Sequence, residues 1–225
     1  IFETGNLAEG KWAKKVERIT CEYTSAPYAV SANSNGAGLL ALLNIYRSVY
    51  NKKTIFIQSN TMYGVKTISL TSGLNFLGCV DCSVSTLMPT LEQVDQFVSK
   101  IPNPAESVFL ITHIGGWINP DIEAISLLCE EKGIILIEDC AHSLGSTLDN
   151  KHSGLYGNAG VYSLYATKAI PAGEGGVIVT KNSELSVNLD KYSKYDRFDQ
   201  KLDLGVNNRM SEIGALLCYS VLLEI

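Results

Sequence analysis

Prolines are scarce in this chain, six in 225 residues, and they do not gather with serines into a linker. There is no internal repeat and no low-complexity tract either, so residues 1–225 read as one unit with no domain boundary inside it. No run approaches the roughly 18 uninterrupted apolar residues that suggest a membrane span. The opening Ile1-Phe-Glu-Thr-Gly5 has neither the basic region nor the apolar core of a secretory signal. A soluble cytoplasmic protein with no membrane contact is the expectation. Basic charge is not concentrated anywhere. Eighteen Lys and Arg against 23 Asp and Glu give a formal charge of −5, without the cationic cluster that a nucleic-acid footprint needs. Nucleic acid is therefore not an expected partner.

Six cysteines (Cys21, Cys79, Cys82, Cys129, Cys140, Cys218) lie scattered through apolar segments, which predicts reduced thiols rather than a disulfide framework. Only three histidines are present, and Cys79-Val-Asp-Cys82 is the sole C-x-x-C, so a zinc site lacks its second ligand pair and no metal is expected. A Walker A loop and a G-x-G-x-x-G fingerprint are both missing, which argues against an ordinary nucleotide-binding α/β protein.

What is present is a chain 46% hydrophobic and 18% charged, enough for one sizeable core. Strand-length apolar runs recur at Tyr28–Ala32, Thr54–Ile57, Phe76–Val80, Val108–Ile111, Ile134–Ile137, Val161–Leu164 and Val177–Val179. Most are too continuous for a sheet with one wet face. Helical patterns fall between several of them, at Ala37–Tyr50, Thr90–Lys100, Ile122–Lys132 and Glu184–Tyr195. This alternation predicts an α/β fold, a mainly parallel seven-stranded sheet flanked by helices. The first residue is not Met, and the stretch from Met210 to Ile225 ends inside an apolar helical pattern without a C-cap, so the chain is expected to be cut at both ends.

In such a sheet, ligands sit beyond the carboxyl ends of the strands. Asn35-Gly36, His113, Asp139 and Ser163 all fall on that edge. Lys168 follows the Val161–Leu164 run and precedes Gly173-Glu-Gly-Gly176, a position from which its amine could form a Schiff base. Asp139 follows the apolar run Ile134–Ile137. A buried acid needs a partner, and the ring nitrogen of pyridoxal phosphate would supply one; capping of the following turn is the plainer alternative. His142, three residues on, either bonds a cofactor or lines that turn. Ser163 and Thr167 offer hydroxyls to a phosphate or to the backbone. Ser31-Ala-Asn-Ser-Asn35-Gly36-Ala37-Gly38 passes from strand to helix through small residues, leaving N–H groups that either hold a phosphate or serve packing alone.

Three segments taken in order, Ile137-Glu-Asp139-Cys-Ala-His142-Ser-Leu-Gly145, Tyr162-Ser163-Leu-Tyr-Ala-Thr-Lys168 with Gly173-Glu-Gly-Gly176, and Gly205-Val-Asn207-Asn-Arg209-Met-Ser-Glu212, resemble the DegT/DnrJ/EryC1/StrS family of sugar-nucleotide aminotransferases, enzymes of fold type I that use pyridoxal 5'-phosphate. The resemblance runs nearly end to end. It implies the large, cofactor-binding domain, with the small C-terminal domain lying beyond Ile225. It further implies Lys168 as the Schiff-base lysine, Asp139 as partner of the pyridine nitrogen, Ser163 as a phosphate ligand, and Ala37 and Gly38, in the Gly36 turn, as backbone donors to phosphate. Asn207 would reach the active site of a second subunit in a homodimer. A nucleotide-linked keto-deoxysugar and an amino acid, glutamate by resemblance, would be the substrates, in aminosugar, surface polysaccharide or antibiotic biosynthesis. Relatives with His in place of the Schiff-base lysine are sugar dehydratases, and Lys168 points instead to amino transfer. A non-catalytic pyridoxal-phosphate sensor of the same fold is the alternative. Three positions depart from the family pattern. Ala37 stands where Thr is usual, His142 where Gln is common, and Met62 takes the slot of the ring-stacking aromatic, with Tyr63 next to it as the candidate.

Overall fold

In the computed structural model, residues 5–8, 10–194 and 204–224 are described. The strands are β1 (Tyr28–Ala32), β2 (Thr54–Gln58), β3 (Asn75–Val80), β4 (Ser107–Thr112), β5 (Ile135–Cys140), the short β6 (Thr147–Leu148) and β7 (Lys151–His152), then β8 (Ala159–Ser163) and β9 (Gly176–Thr180). The helices are α1 (Lys11–Thr24), α2 (Asn35–Ser48), α3 (Tyr63–Thr71), α4 (Leu91–Val98), α5 (Ile122–Glu131), α6 (Ser183–Lys194) and α7 (Glu212–Leu222). Seven strands form one sheet in the order β1-β9-β8-β5-β4-β2-β3, and β6 and β7 form a separate hairpin. All strands of the large sheet run parallel except β9, which is antiparallel to both β1 and β8.

Both faces of this sheet are covered, which explains the unbroken apolar runs. Leu39, Leu42 and Leu43 of α2 pack on Ile55, Ile57, Leu110, Ile137 and Val161 on one face. On the other, Phe56, Phe109 and Leu136 meet Val94 of α4 and Ile125 of α5, with the Phe56 and Phe109 rings stacked at 4.6 Å. Each such fully buried side chain stabilises the fold by about 1.5–3 kcal/mol. Between β2 and β3 the register slips at Ile55/Phe56, and Gly78 on β3 takes φ +121°, so the outer strand is kinked there.

The seven expected strands are all found, with ends shifted by a few residues. The largest shift is in β5, whose apolar run to Ile137 continues through Glu138 and Asp139 to Cys140, so the strand-end carboxylate of Asp139 stands one residue before the end of the ladder. The expected helix Glu184–Tyr195 corresponds to α6, and Tyr195 lies outside the described residues. Two helices escaped the pattern. α3 is rich in β-branched and small residues, and α1 buries only Ala13, Val16, Thr20 and Thr24. Two carboxylates help to hold α1 in place, one from α7 and one of its own. Glu212 of α7, 1% exposed, accepts the Trp12 and Ala13 N–H groups at 2.9 and 3.0 Å, and Glu17 accepts from Ser31 N and Oγ at 3.0 and 2.8 Å.

The antiparallel β9 brings Gly176 against the turn that opens α2. A Cβ at Gly176 would lie 2.6 Å from the Ser34 carbonyl carbon and 2.7 Å from Asn35 N, both backbone atoms. Gly176→Ala is therefore expected to destabilise the chain by about 1–3 kcal/mol. Urea unfolding followed by circular dichroism reads this directly; an unchanged midpoint would mean that the turn yields without cost.

Candidate active site

Lys168 owes its place to the β8–β9 pair. Because these strands are antiparallel neighbours, the chain between them returns as a loop over the carboxyl end of β8. Its base is closed by Leu164 N–H to Gly175 O (2.9 Å), Ala172 N–H to Leu164 O (2.8 Å) and Ala166 N–H to Gly173 O (3.1 Å). Gly173 supplies the positive φ, +81°, that the return requires. Lys168 sits in the tip, its N–H bonded to Tyr165 O at 2.9 Å, and its side chain is half-buried. There it lines a cavity of ≈ 350 Å³ with Ala141, His142, Ser163 and Thr167. Three of the sequence candidates, Lys168, Ser163 and His142, thus share one wall.

Asp139, only 2% exposed, stands beside this wall. Its Oδ1 accepts from Asn35 Nδ2 at 3.0 Å and from Ala141 N at 3.1 Å. Its Oδ2 has the Thr112 hydroxyl at 3.5 Å, the limit of a hydrogen bond. Burial pushes the carboxyl above the ordinary range, while the Asn35 amide, the Ala141 N–H and the nearby His113 and His142 rings pull it back. Among the described residues no Lys or Arg forms an ion pair with it.

The turn into α2 is capped internally. Ser34 Oγ accepts from Ala37 N at 3.1 Å and Ser34 O from Gly38 N at 3.0 Å. Both N–H groups expected to hold phosphate are therefore engaged, and an anion would reach Ala37 N–H by displacing the Ser34 hydroxyl. The N–H groups of Asn35 and Gly36, at the first turn, have no intrahelical acceptor. Gly38 packs the helix closely on the sheet, since a Cβ there would lie 2.8 Å from Val161 Cγ1. Asn207 is exposed next to this turn. Its carbonyl accepts from Asn33 Nδ2 at 3.5 Å and its Oδ1 from Arg209 Nε at 3.0 Å, while the neighbouring Asn208 is buried and donates to Ala37 O at 3.3 Å.

A model of the DegT/DnrJ/EryC1/StrS aminotransferase family matches residues 1–225. The chain belongs to that family. Among solved structures it resembles the family's Helicobacter pylori PseC, described as an aminotransferase involved in the biosynthesis of pseudoaminic acid. There the TM-score is 0.88 at 23% identity, over 100% of this chain and 60% of that one. DesI, solved in the presence of its TDP-sugar product, gives 0.84 at 24% identity over 100% and 56%. The GDP-4-keto-6-deoxymannose-3-dehydratase ColD, as a variant with bound GDP-perosamine, gives 0.86 at 21% identity over 99% and 63%. These likenesses establish the fold. The chain spans between 56% and 63% of the length of these three structures.

Of the site candidates, Gly36, Ala37, Gly38, Asp139 and Asn207 lie outside the cavity's lining, and so do the two offered for ring stacking. Met62 and Tyr63, at the start of α3, are 61% and 79% exposed, and neither ring nor thioether is buried against the Lys168 cavity. Conversely, one functional carboxylate went unread. Glu138, fully buried, accepts Gly154 N (2.8 Å), Tyr156 N (2.8 Å) and Gly157 N (2.7 Å), and pairs with His113 Nε2 at 2.8 Å. Asn119 N–H points at His113 Nδ1 at 3.4 Å, which makes Nε2 the protonated nitrogen and the donor to Glu138. Cys140 Sγ completes a buried group of three donors within 4.8 Å. Glu138 is already committed to these four donors, so the group reads as an internal hydrogen-bonded knot. Its only sequence signal was an acid inside an apolar strand.

The raised pKa of Asp139 has a defined consequence for stability. The folded chain holds this proton more tightly than the unfolded one, so this carboxyl costs stability as pH rises from its ordinary pKa, about 3.9, to the raised folded value. The cost is constant above that. Asp139→Asn removes it. In cofactor-free urea unfolding, the stability of Asp139→Asn relative to wild type is expected to increase over that window and to level off on either side. A pH-independent difference would show that Asp139 titrates normally.

Proposed function

We propose that this chain is the cofactor-binding large domain of a pyridoxal-phosphate aminotransferase that transfers an amino group to a nucleotide-linked keto-deoxysugar. The observation that carries the reading is the pairing of a buried acid, Asp139, which has no Lys or Arg partner among the described residues, with a cavity lined by one amine, Lys168, and by the hydroxyls of Ser163 and Thr167. That donor set fits pyridoxal phosphate: an amine for its aldehyde, an acid for its ring nitrogen, and hydroxyls with the α2 turn for its phosphate. Bound there, the cofactor supplies an electron sink for negative charge developing at the carbon next to the amino nitrogen.

The chain's own groups do the rest. Lys168 Nζ would hold the cofactor's aldehyde as a nucleophile and, as a free amine, would be the base that takes the proton from the donor's α-carbon and the acid that gives it back. Asp139, as carboxylate, holds a proton on the ring nitrogen. Ser163, 7% exposed and fixed by Tyr165 N–H to its Oγ at 3.3 Å, marks the phosphate end with the α2 turn. The amino donor we propose is glutamate. Support for a sugar-nucleotide acceptor comes from the relatives, whose descriptions name a TDP-sugar as the product of DesI and GDP-perosamine as bound to the ColD variant. Lys168 favours amino transfer over the dehydration for which ColD is named.

Asn207 lies exposed beside the α2 turn, compatible with a role at the site of a second subunit, and a cytoplasmic homodimer making aminosugars for surface polysaccharides or antibiotics is part of this proposal. No helix among the described residues is long and apolar enough to cross a membrane.

Mixing the chain with pyridoxal phosphate is expected to produce a visible band that borohydride abolishes and that peptide mapping assigns to Lys168. Lys168→Ala should bind the cofactor without that band and lose transfer from glutamate by about 10²-fold or more. Normal turnover by this variant would overturn the assignment, and a band without any glutamate half-reaction in the full-length protein would favour a sensor instead.

A further inference from the structure

Asn35, the first residue of α2, directs one side-chain nitrogen at two acceptors. Its Nδ2 lies 3.0 Å from Asp139 Oδ1 and 2.8 Å from the Val161 carbonyl of β8. Both partners accept only, so the amide cannot be turned round without setting its oxygen against two others. The contact spans 104 residues to the acid and 126 to the strand. Three elements that each carry part of the site therefore converge on one amide: the start of α2, the end of β5, and β8, which continues into Ser163 and the Lys168 loop.

The two oxygens of Asp139 are left unequal. Oδ1 is held by Asn35 and by Ala141 N–H. Among the described residues Oδ2 has a single, long contact, from the Thr112 hydroxyl at 3.5 Å, and that hydroxyl also shares a 2.7 Å bond with Thr61 Oγ1 in which either oxygen can donate. His113 and His142 are the other titratable groups that act on the carboxyl, from the ends of β4 and β5. Neither is hydrogen-bonded to it among the described residues.

We propose that Asn35 is a positioning residue of the amino-transfer reaction. Its amide clamps Asp139 Oδ1, leaves Oδ2 as the oxygen for the cofactor's ring nitrogen, and keeps the acid in register with the strand that carries Ser163. This rests on the reading of Asp139 as the partner of that nitrogen. The clamp favours the ionised form of a carboxylate that burial disfavours, and ionisation is what lets Asp139 hold a proton on the ring.

Two variants test it. Asn35→Ala removes the amide, and Asn35→Leu removes it with nearly constant volume. Asn44→Ala, which deletes a different α2 amide bond, to Tyr192 Oη at 2.9 Å, controls for general loosening of the helix. In the cofactor-free chain, carboxyl NMR is expected to show the Asp139 titration midpoint raised by about one unit or more in both Asn35 variants and unmoved in Asn44→Ala. In the loaded full-length enzyme, the Asn35 variants should lower kcat by about tenfold or more with a nearly constant KM for the amino donor, and shift the pH midpoint of the visible band. An unmoved Asp139 midpoint in the folded Asn35 variants would overturn the clamp, whatever happens to activity. If the wild type takes up no pyridoxal phosphate, the functional reading fails by that result alone, while the clamp is still judged by the titration.

Discussion

The site depends on a carboxylate that does not enter it. Glu138, sealed in the sheet, gathers three backbone N–H groups from residues 154–157 and the His113 ring. Those residues form the turn into β8, so the bonds set where β8 starts against β5, and thereby where Ser163 and the Lys168 loop come to lie. Charge-assisted bonds to backbone donors are among the stronger hydrogen bonds available to a fold, and a buried carboxylate with fewer of them would be costly. The adjacent residue, Asp139, shows the opposite economy. Alternation along β5 sends neighbouring acids to opposite faces, and Asp139 emerges with one oxygen fully bonded and the other nearly free. One acid is bonded throughout inside the fold, and its neighbour has one oxygen with a single long contact among the described residues.

Packing around glycines sharpens this picture. Gly160 of β8 approaches Gly154 so closely that a Cβ would stand 2.3 Å from the Gly154 Cα, and Gly116 faces the His142 carbonyl with a Cβ distance of 2.7 Å. The first lets the segment before β8 lie down on that strand, and the second lets the turn after β4 approach the chain after β5, beside the Gly115 and His142 that line the cavity.

Much of the fold was legible because both sheet faces are buried. That makes runs such as Val108–Ile111 continuously apolar, and periodicity alone then locates strands. α1 went unread although it has an apolar stripe, with Ala13 and Val16 buried and Trp12 and Ile19 packed against the same cluster; Glu212 of α7 and its own Glu17, bonded to Ser31 of β1, add bonds that leave no period in the sequence. Lys168 and Ser163 were legible as a strand followed by a glycine-rich return. Asn35 was legible as part of a small-residue turn on the same edge as Asp139 and Ser163, but not as their link, and Glu138 only as the residue before Asp139. Their roles are long-range hydrogen bonds, which leave no period in a sequence. The phosphate turn was legible as a strand-to-helix passage, but the internal cap made by Ser34 depends on a rotamer that spacing does not disclose.

The kink opposite Ile55/Phe56 has a meaning beyond geometry. β3 ends the sheet, and a straight outer strand offers its unpaired N–H and C=O groups to any extended chain that drifts past. With Gly78 at φ +121° and a register slip beside it, that row of groups is broken part-way along. A foreign strand could match one half of β3 or the other, but not both at once. The irregularity that spoils the ladder from within also guards a crowded solution of such chains against joining edge to edge.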